Sequence, residues 1–459
     1  MALDLFVVLL YAAAMLILGY YGMRKAKTHE DYLVAGRNLG PSLYMGTMAA
    51  TVLGGASTVG TVRLGYVHGI SGFWLCAALG AGIIALNLFL AKPLLKLKIY
   101  TVTQVLEKRY NPMARSASAV IMLAYALMIG VTSILAIGTV LQVLFGLPFW
   151  VSVLLGGGVV VVYSAIGGMW SLTLTDIVQF VIKTVGLMFI LLPVCLYKVG
   201  GWDQLVAQLP ASSFNWTTIG WDTILTYFLI YFFGILIGQD IWQRVFTARD
   251  EKVCQRAGTT AGIYCVLYGL ACALIGMAAH VLLPDLANPN NAFAAMIKTT
   301  LPDGIRGLLM AAALAAMMST ASAGLLAAST TVTEDLLPKL RGGKQSSLAT
   351  SRLFTLLTGL VVLAIALAVN DVISALTLAY NLLVGGMLIP LMGAIFWKRA
   401  TTAGAIASMS LGFATALLFM VKDGLDANTP IYYSLAISLV SFVLVSLLSR
   451  RPVASANLA

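Results

Sequence analysis

Apolar stretches long enough to cross a lipid bilayer recur along the whole chain. A transmembrane helix needs about 20 consecutive, predominantly apolar residues. Short breaks, mostly containing Gly, Pro or Asn, separate these stretches. The pattern predicts an all-α polytopic membrane protein with about 13 transmembrane helices, over residues 3–23, 40–67, 70–96, 116–145, 148–166, 170–198, 222–243, 256–284, 304–334, 347–369, 371–397, 403–421 and 430–449.

The composition excludes a soluble domain. Of the 459 residues, 60 % are apolar and only 10 % are charged, whereas soluble domains carry about 25 % charged residues. The net charge of +11 would favour nucleic-acid binding in a soluble protein. In a membrane protein, basic residues instead mark the loops that stay in the cytoplasm. We therefore expect the lipid bilayer as a partner, and no nucleic acid.

Basic residues alternate between the two sides of the predicted bundle. Of the 28 Lys and Arg residues, one set of loops holds only Lys198, Lys298, Arg306 and Lys422, and the opposite loops hold most of the others. The positive-inside rule places the basic loops in the cytoplasm. This predicts a multi-pass membrane protein with its N-terminus outside and its C-terminus in the cytoplasm.

Two of the apolar segments contain glycine and polar groups at mid-depth. Residues 40–67 have Gly54 and Gly55 at their centre, and residues 222–243 contain Gly234, Gly238 and Gln239. Unwound backbone is tolerated inside a membrane only where it lines a cavity. A pair of interrupted helices is typical of secondary transporters with inverted repeats. The alternative interpretation is close packing of helices at small residues.

The interruptions predict how the single transporter domain, residues 1–459, is organised. We expect one repeat over residues 40–198 and a second over residues 222–397. Residues 1–25 would form one accessory helix and residues 403–449 two more. The sequence has no phosphate-binding loop, so neither ATP-driven transport nor an enzymatic activity is expected. We expect the protein to function as a monomer.

A third polar segment, residues 304–334, has small residues and hydroxyls in its middle, including Ser319, Thr320 and Ser322. Na⁺ is a hard cation, and hydroxyl oxygens together with carbonyls freed by an unwound helix could supply its ligands. The alternative is that these hydroxyls bond to carbonyls of their own helix, which is common.

Ionisable residues also lie within predicted spans. Asp176 and Lys183 share one helix face, and an intramembrane carboxylate is a functional candidate by default. Lys183 is either a partner of Asp176 or extends toward the membrane surface. Arg63, in the outer half of the first interrupted segment, is either a ligand for a substrate carboxylate or a residue of the outer vestibule.

Five ordered motifs make the chain resemble the sodium/solute symporters, the family of bacterial proline, sialic-acid and sugar symporters and of animal glucose and choline transporters. The resemblance covers essentially the whole chain and implies a leucine-transporter-type fold with an inverted 5+5 repeat and Na⁺-coupled import. The motifs are DYLVAGRNLG, TVTQVLEKRYNP, YSAIGGMWSLTLTDIVQ, LAAMMSTASAGLLAAST and GAIFWKRATTAGA.

The resemblance also implies cation sites. The common Na⁺ site would use backbone carbonyls and two hydroxyls, from Ala50, Leu53, Ala316, Ser319 and Thr320. Some members bind a second Na⁺, for which Asp176, Ser319 and Ser322 match. Ala323 stands where a further hydroxyl is expected, so the resemblance is compatible with a stoichiometry of either one or two Na⁺ per transport cycle.

The positions that bind substrate in the family match less well. The polar ligands of the sugar transporters fall on Ser57, Cys76, Gly238 and Cys265, which are too few hydrogen-bonding groups for a sugar. The aromatic residue expected for a quaternary ammonium falls on Gly238, so choline is not favoured. The aromatic inner-gate residue of sugar transporters is replaced by Asp240.

The remaining pocket is small and weakly polar. It suits an amino acid or a monocarboxylate, whose anionic group would face helix ends at the breaks. The predicted substrate-binding residues are Ser57, Thr58, Trp74, Cys76, Thr132 and Gln239, and Arg63, Asp240 and Tyr380 are predicted substrate or gate residues.

We therefore expect a Na⁺-coupled secondary symporter that imports a small organic solute by alternating access. One alternative is a proton-coupled symporter that uses Asp176 or Asp240, and another is a transporter-like solute sensor. A channel is disfavoured because the sequence shows no ring of like charges and no filter-like repeat.

Overall fold

The computed structural model describes residues 2–340, 342, 346–369, 371–425 and 427–449. Over these ranges the regular structure is helical, and the chain forms no β-structure beyond an isolated bridge between Leu39 and Ala248. The longer helices are α1 (Ala2–Lys25), α2 (Pro41–Val52), α3 (Ala56–Leu97), α4 (Pro112–Phe145), α5 (Phe149–Val199), α6 (Trp221–Ile237), α7 (Gln239–Thr247), α8 (Glu251–Leu282), α9 (Ile305–Leu340), α10 (Leu348–Ala366), α11 (Val372–Phe396), α12 (Thr402–Asp423) and α13 (Thr429–Leu448).

Ten helices in the described parts of the chain are long and apolar enough to cross a membrane, or 11 if the bent pair α6 and α7 forms one crossing. At 42 and 51 residues, α3 and α5 are far longer than a core of about 30 Å requires. Each turns at a glycine with positive φ, Gly69 in α3 and Gly168 in α5. If α6 and α7 form one crossing and α3 and α5 form two each, the number of crossings is the thirteen that the sequence predicts. In this count, α2 and the first half of α3 together form one crossing.

Gly168 shows why glycine is needed at the turn in α5. Its φ of 56° and ψ of −140° lie outside the helical region, and a Cβ there would lie 2.4 Å from the carbonyl oxygen of Tyr32. Tyr32 belongs to the short helix His29–Val34, and its hydroxyl lies within hydrogen-bond distance of the Ala165 carbonyl, at 3.0 Å, and of the Thr355 hydroxyl, at 2.9 Å. The turn thus holds the segment between α1 and α2 against the bundle.

Burial separates a central helix from peripheral ones. In α9, 89 % of the most apolar window is buried, against 28 % in α1 and 33 % in α13. Small side chains let neighbouring helices approach α9 closely, as at Gly324, where a Cβ would lie 2.6 Å from the Gly130 nitrogen of α4. The run of Ala, Ser and Gly in α9 therefore reflects its central position as well as any role for its hydroxyls.

Candidate functional site

The first interrupted helix breaks between α2 and α3. Helix α2 ends at Val52, and Leu53 leaves the helical region with φ −88° and ψ 70°. Gly54 packs so closely on α9 that a Cβ would lie within 3 Å of the Thr320 side chain. The hydroxyl of Ser57 donates to the freed Val52 carbonyl at 2.9 Å. The predicted interruption is present, and its carbonyls turn toward α9.

The second interruption lies at Gly238, whose extended backbone (φ −69°, ψ 132°) separates α6 from α7 by a bend of 44°. Asp240 follows in the first turn of α7, and its Oδ1 accepts a hydrogen bond from the Tyr125 hydroxyl at 2.9 Å. Gly234 has a different role, because it makes room for the ring of Tyr380 within a continuous helix. Gly238 is therefore a break in the helix, whereas Gly234 allows close packing, which was the alternative interpretation of the glycines.

A cavity of about 20 Å³ lies between the two breaks. This volume holds about one water molecule, so the site is nearly closed in this conformation. A larger solute requires the helices around it to move apart. The lining residues are Thr51, Val52, Gly54, Gly55, Ala56, Ser57, Leu79, Ile129, Thr132, Ser133, Asp240, Ile241, Thr320, Leu376 and Tyr380.

Four of the predicted substrate or gate residues line this cavity, namely Ser57, Thr132, Asp240 and Tyr380. Asp240 is 2 % exposed and is the sole carboxylate among the lining residues. The ring of Tyr380 lies edge-on to that of Tyr125, with 5.3 Å between centroids. A carboxylate beside two aromatic rings favours a solute with a positively charged group.

Three other predicted substrate residues make structural contacts outside the cavity. Thr58 hydrogen-bonds the Tyr268 hydroxyl at 2.9 Å. The Cys76 thiol lies 3.3 Å from the Thr61 hydroxyl and is buried between helices. Gln239 accepts from the Val102 N–H at 2.9 Å and donates to the Tyr100 carbonyl, which uses both ends of its amide.

Trp74 and Arg63 lie nearer the end of the bundle that is predicted to face outward. The Trp74 indole donates to the carbonyl of Trp216, in the loop that follows α5. Arg63 forms an ion pair with Asp371 at 3.6 Å, and both side chains are partly exposed. The partner that the structure shows for Arg63 is thus a carboxylate of the protein itself.

Ser133, which the sequence pattern does not single out, lines the cavity beside Thr132. Its buried hydroxyl has no hydrogen-bond partner within the described ranges. A buried hydroxyl without a partner costs free energy, so a group of the solute is a natural partner. In the sequence, its position directly after the predicted substrate residue Thr132 is the feature that could have indicated Ser133.

Ser133→Ala is expected to raise the KM for solute uptake by about fivefold, because one net hydrogen bond contributes about 1 kcal/mol. Ser116→Ala, at the far end of the same helix, is the matched control and should leave KM unchanged. Initial uptake rates as a function of solute concentration measure both values. Equal KM values for the two variants would contradict this role of Ser133.

The residues assigned to the common Na⁺ site come together in the structure. The Ser319 hydroxyl donates to the carbonyl of Ala50 at 2.7 Å and lies 3.1 Å from the carbonyl of Ala316. Thr320 donates to the carbonyl of Thr51. The break after α2 and the middle of α9 therefore form one cluster of hard oxygen atoms, which we call the cation junction, consisting of Ala50, Leu53, Ala316, Ser319 and Thr320.

A side chain that was not assigned to it reaches this junction. The Lys183 ammonium, fully buried, lies 3.3 Å from the Ala50 carbonyl and 3.2 Å from the Leu53 carbonyl. Lys183 is thus buried inside the bundle, and its direct contacts in the described part of the chain are these carbonyls rather than the Asp176 carboxylate. The oxygen atoms are of the type that Na⁺ prefers, but an ammonium already occupies their neighbourhood.

Asp176 has a different set of partners. Its Oδ2 accepts from the Thr47 hydroxyl and lies 3.5 Å from the Arg244 guanidinium, and both charged side chains are fully buried. Its Oδ1 has no hydrogen-bond partner in the described part of the chain. Ser322 donates to the Ser319 carbonyl at 2.9 Å instead of to Asp176. Among the described residues, Asp176 and Ser322 therefore have separate hydrogen-bond partners.

The family model for the sodium:solute symporter family matches residues 32–412. The chain belongs to this family. It is 27 % identical to the osmoregulated proline transporter OpuE of Bacillus subtilis, over 96 % of this chain and 94 % of the relative. It is 26 % identical to a sodium/proline symporter of Staphylococcus aureus, over 89 % of this chain and 84 % of the relative. These relatives are transporters, and so is this chain.

Solved structures confirm the fold class. A Na⁺-coupled sialic acid symporter in a substrate-bound, outward-open state matches 98 % of this chain and 98 % of that protein, with a TM-score of 0.82 at 21 % identity. A nucleobase-cation-symport-1 family transporter matches 93 % of this chain and 96 % of that protein, with a TM-score of 0.61 at 16 % identity. The predicted leucine-transporter-type architecture of membrane helices is therefore correct.

Proposed function

We propose that the protein is a secondary active symporter that imports a small amino acid by alternating access, through the cavity between its two interrupted helices. The observation that carries this proposal is the placement of one carboxylate, Asp240, at the second break and facing that cavity. The ammonium of an amino acid would bind near Asp240. Its carboxylate would face backbone groups at the breaks and the hydroxyls of Ser57, Thr132 and Ser133.

Two further observations support an amino acid over a sugar. The exposed lining of the cavity is mostly apolar. The two relatives described above are proline transporters, and proline is a small amino acid. Monocarboxylates are the second solute class, but they lack a positive group for Asp240.

We propose Na⁺ as the driving ion, in line with the family and with the Na⁺-coupled relatives. The candidate positions are the cation junction and the surroundings of Asp176 with Ser319 and Ser322. A proton-coupled symporter is the second candidate, because the Lys183 ammonium already contacts the carbonyls of the junction and Asp176 lies beside Arg244.

The proposal extends to the internal repeats, the membrane topology and the cellular location of the protein. We propose two inverted repeats over residues 40–198 and 222–397, with the N-terminus outside and the C-terminus in the cytoplasm of a bacterium. The protein would work as a monomer in the inner membrane, without nucleic acid as a partner.

A ligand screen tests the solute class. Purified protein is heated with L-proline, other amino acids, monocarboxylates, ureas or quaternary amines, with Na⁺ present. A ligand at 100 times its dissociation constant stabilises the folded state by about 2.7 kcal/mol, which raises the melting temperature measurably. Stabilisation by one or more amino acids supports the proposal, whereas stabilisation by quaternary amines alone would overturn the solute class.

A further inference from the structure

The side chain of Lys183 occupies the place that the family resemblance assigns to Na⁺. Its ammonium contacts the carbonyls of Ala50 and Leu53, at 3.3 and 3.2 Å. Both carbonyls are among the five expected ligands of the common Na⁺ site. The chain therefore supplies a positive charge of its own to this pair of oxygen atoms.

The oxygen atoms suit an ammonium as well as a metal ion. Carbonyls in the last turn of a helix lack partners within that helix and lie at the negative end of its dipole. An ammonium offers three donors and no acceptor. Two donors reach the carbonyls of Ala50 and Leu53, and the charge also lies 5.9 Å from the centre of the Tyr268 ring, within range of a cation–π interaction. The two carbonyls and the ring thus contact the Lys183 ammonium directly.

The packing of α5 directs Lys183 into this gap. At Gly46 of α2, a Cβ would collide with Ile177 of α5, at 2.4 Å. At Gly186 of the same α5, a Cβ would lie 2.5 Å from the Cβ of Ala312 in α9. Lys183 stands between these two close approaches along α5, so its side chain enters where α2 and α9 are both near.

The hydroxyls of the junction are arranged around the same charge. Ser319 and Thr320 donate their protons to the carbonyls of Ala50 and Thr51. Ala50 thus accepts from both Ser319 and Lys183. In this buried environment of low dielectric, a second cation within a few ångströms of the ammonium would be strongly repelled. One positive charge therefore completes the junction.

We propose that the Lys183 ammonium is a tethered cation that replaces Na⁺ at the cation junction, so that this protein needs no Na⁺ there. The inference rests on the proposed function only in treating the chain as a cation-driven symporter. It removes the cation junction from the candidate positions of the driving ion, and it adds a polar contact between α5 and the break after α2.

The first test removes the tethered charge. Lys183→Met keeps most of the length and apolar volume of the side chain, and Lys198→Met, at the exposed end of the same helix, is the matched control. Melting temperatures are compared in NaCl and in KCl at equal ionic strength. K183M is expected to gain a Na⁺-specific rise of about 2 °C or more over wild type and K198M, because Na⁺ can then bind the vacated oxygen atoms. Adding Thr320→Val to K183M is expected to remove this gain.

The second test uses a chain that keeps Lys183. The proposal predicts that Na⁺ does not bind the junction of the wild-type protein. The Thr320→Val variant alone should therefore show the same Na⁺-dependent shift in melting temperature as wild type, whether that shift is large or small. Loss of a wild-type Na⁺ response in T320V would overturn the proposal, as would a K183M variant that folds and gains nothing. If K183M does not fold, T320V decides alone. Neither measurement uses a solute, so a failure of the proposed transport function would not be confused with a failure of this one.

Discussion

Asp240→Asn is expected to lower the kcat/KM of solute uptake by about 10- to 100-fold. Hydrogen bonds to a charged group contribute about 1.5–3 kcal/mol, and each 1.4 kcal/mol is a factor of ten in affinity. Asparagine keeps the volume and can still accept from the Tyr125 hydroxyl, but it removes the negative charge that the solute ammonium would need. The defect should therefore lie mainly in solute binding.

The control for this variant is Asp222→Asn, at the exposed start of the other half of the same interrupted helix. Uptake of labelled solute into proteoliposomes, measured over a range of concentrations, gives KM and kcat for both. We expect D222N to behave as wild type. Wild-type kinetics in D240N would show that the solute does not use this carboxylate, and would favour a monocarboxylate.

Gly168→Ala is expected to destabilise the protein by about 3 kcal/mol, the upper end of the cost of a strained backbone conformation. Two independent features cause this. The backbone has a φ of 56°, which residues with a Cβ rarely adopt. The added Cβ would also meet the carbonyl and the ring of Tyr32, at 2.4 to 2.7 Å, and a backbone carbonyl cannot easily move away.

Gly158→Ala provides the comparison in the same helix, because a Cβ there meets no atom within 4 Å. It should keep or slightly raise the stability, since alanine favours a helix by about 1 kcal/mol over glycine. Melting temperatures of the two purified variants, or their monodisperse yields from the same membranes, measure the difference. Equal stability of G168A and G158A would contradict the account of this turn.

The positions of the membrane helices follow closely from the sequence. The predicted segment 3–23 corresponds to Ala2–Lys25 and the segment 403–421 to Thr402–Asp423. Apolar length is set locally by the thickness of the bilayer core, so it can be read along the chain. The breaks at Gly54 and Gly238 were also predictable, because unwound backbone with polar groups at mid-depth is tolerated only where it lines a cavity.

The contact partners of individual polar side chains could not be predicted from the sequence in the same way. Lys183 reaches the carbonyl of Ala50, 133 residues earlier in the chain, and the helix pattern predicted only that it shares a face with Asp176. Which neighbour a face meets depends on the rotation and crossing of helices far apart in sequence. Gln239 illustrates the same limit, because its amide is used by the backbone of Tyr100 and Val102 rather than by the cavity.

Concentrative uptake is the measurement that tests the proposed symport most directly. Proteoliposomes with the wild-type protein receive labelled L-proline, or another amino acid that stabilises it, under an inward Na⁺ gradient or an inward proton gradient in Na⁺-free buffer. The account predicts that the internal concentration rises above the external one under the Na⁺ gradient and returns to equality when an ionophore collapses it. Accumulation under the proton gradient alone would identify the proton-coupled alternative. Uptake that never exceeds equality under either gradient would contradict symport.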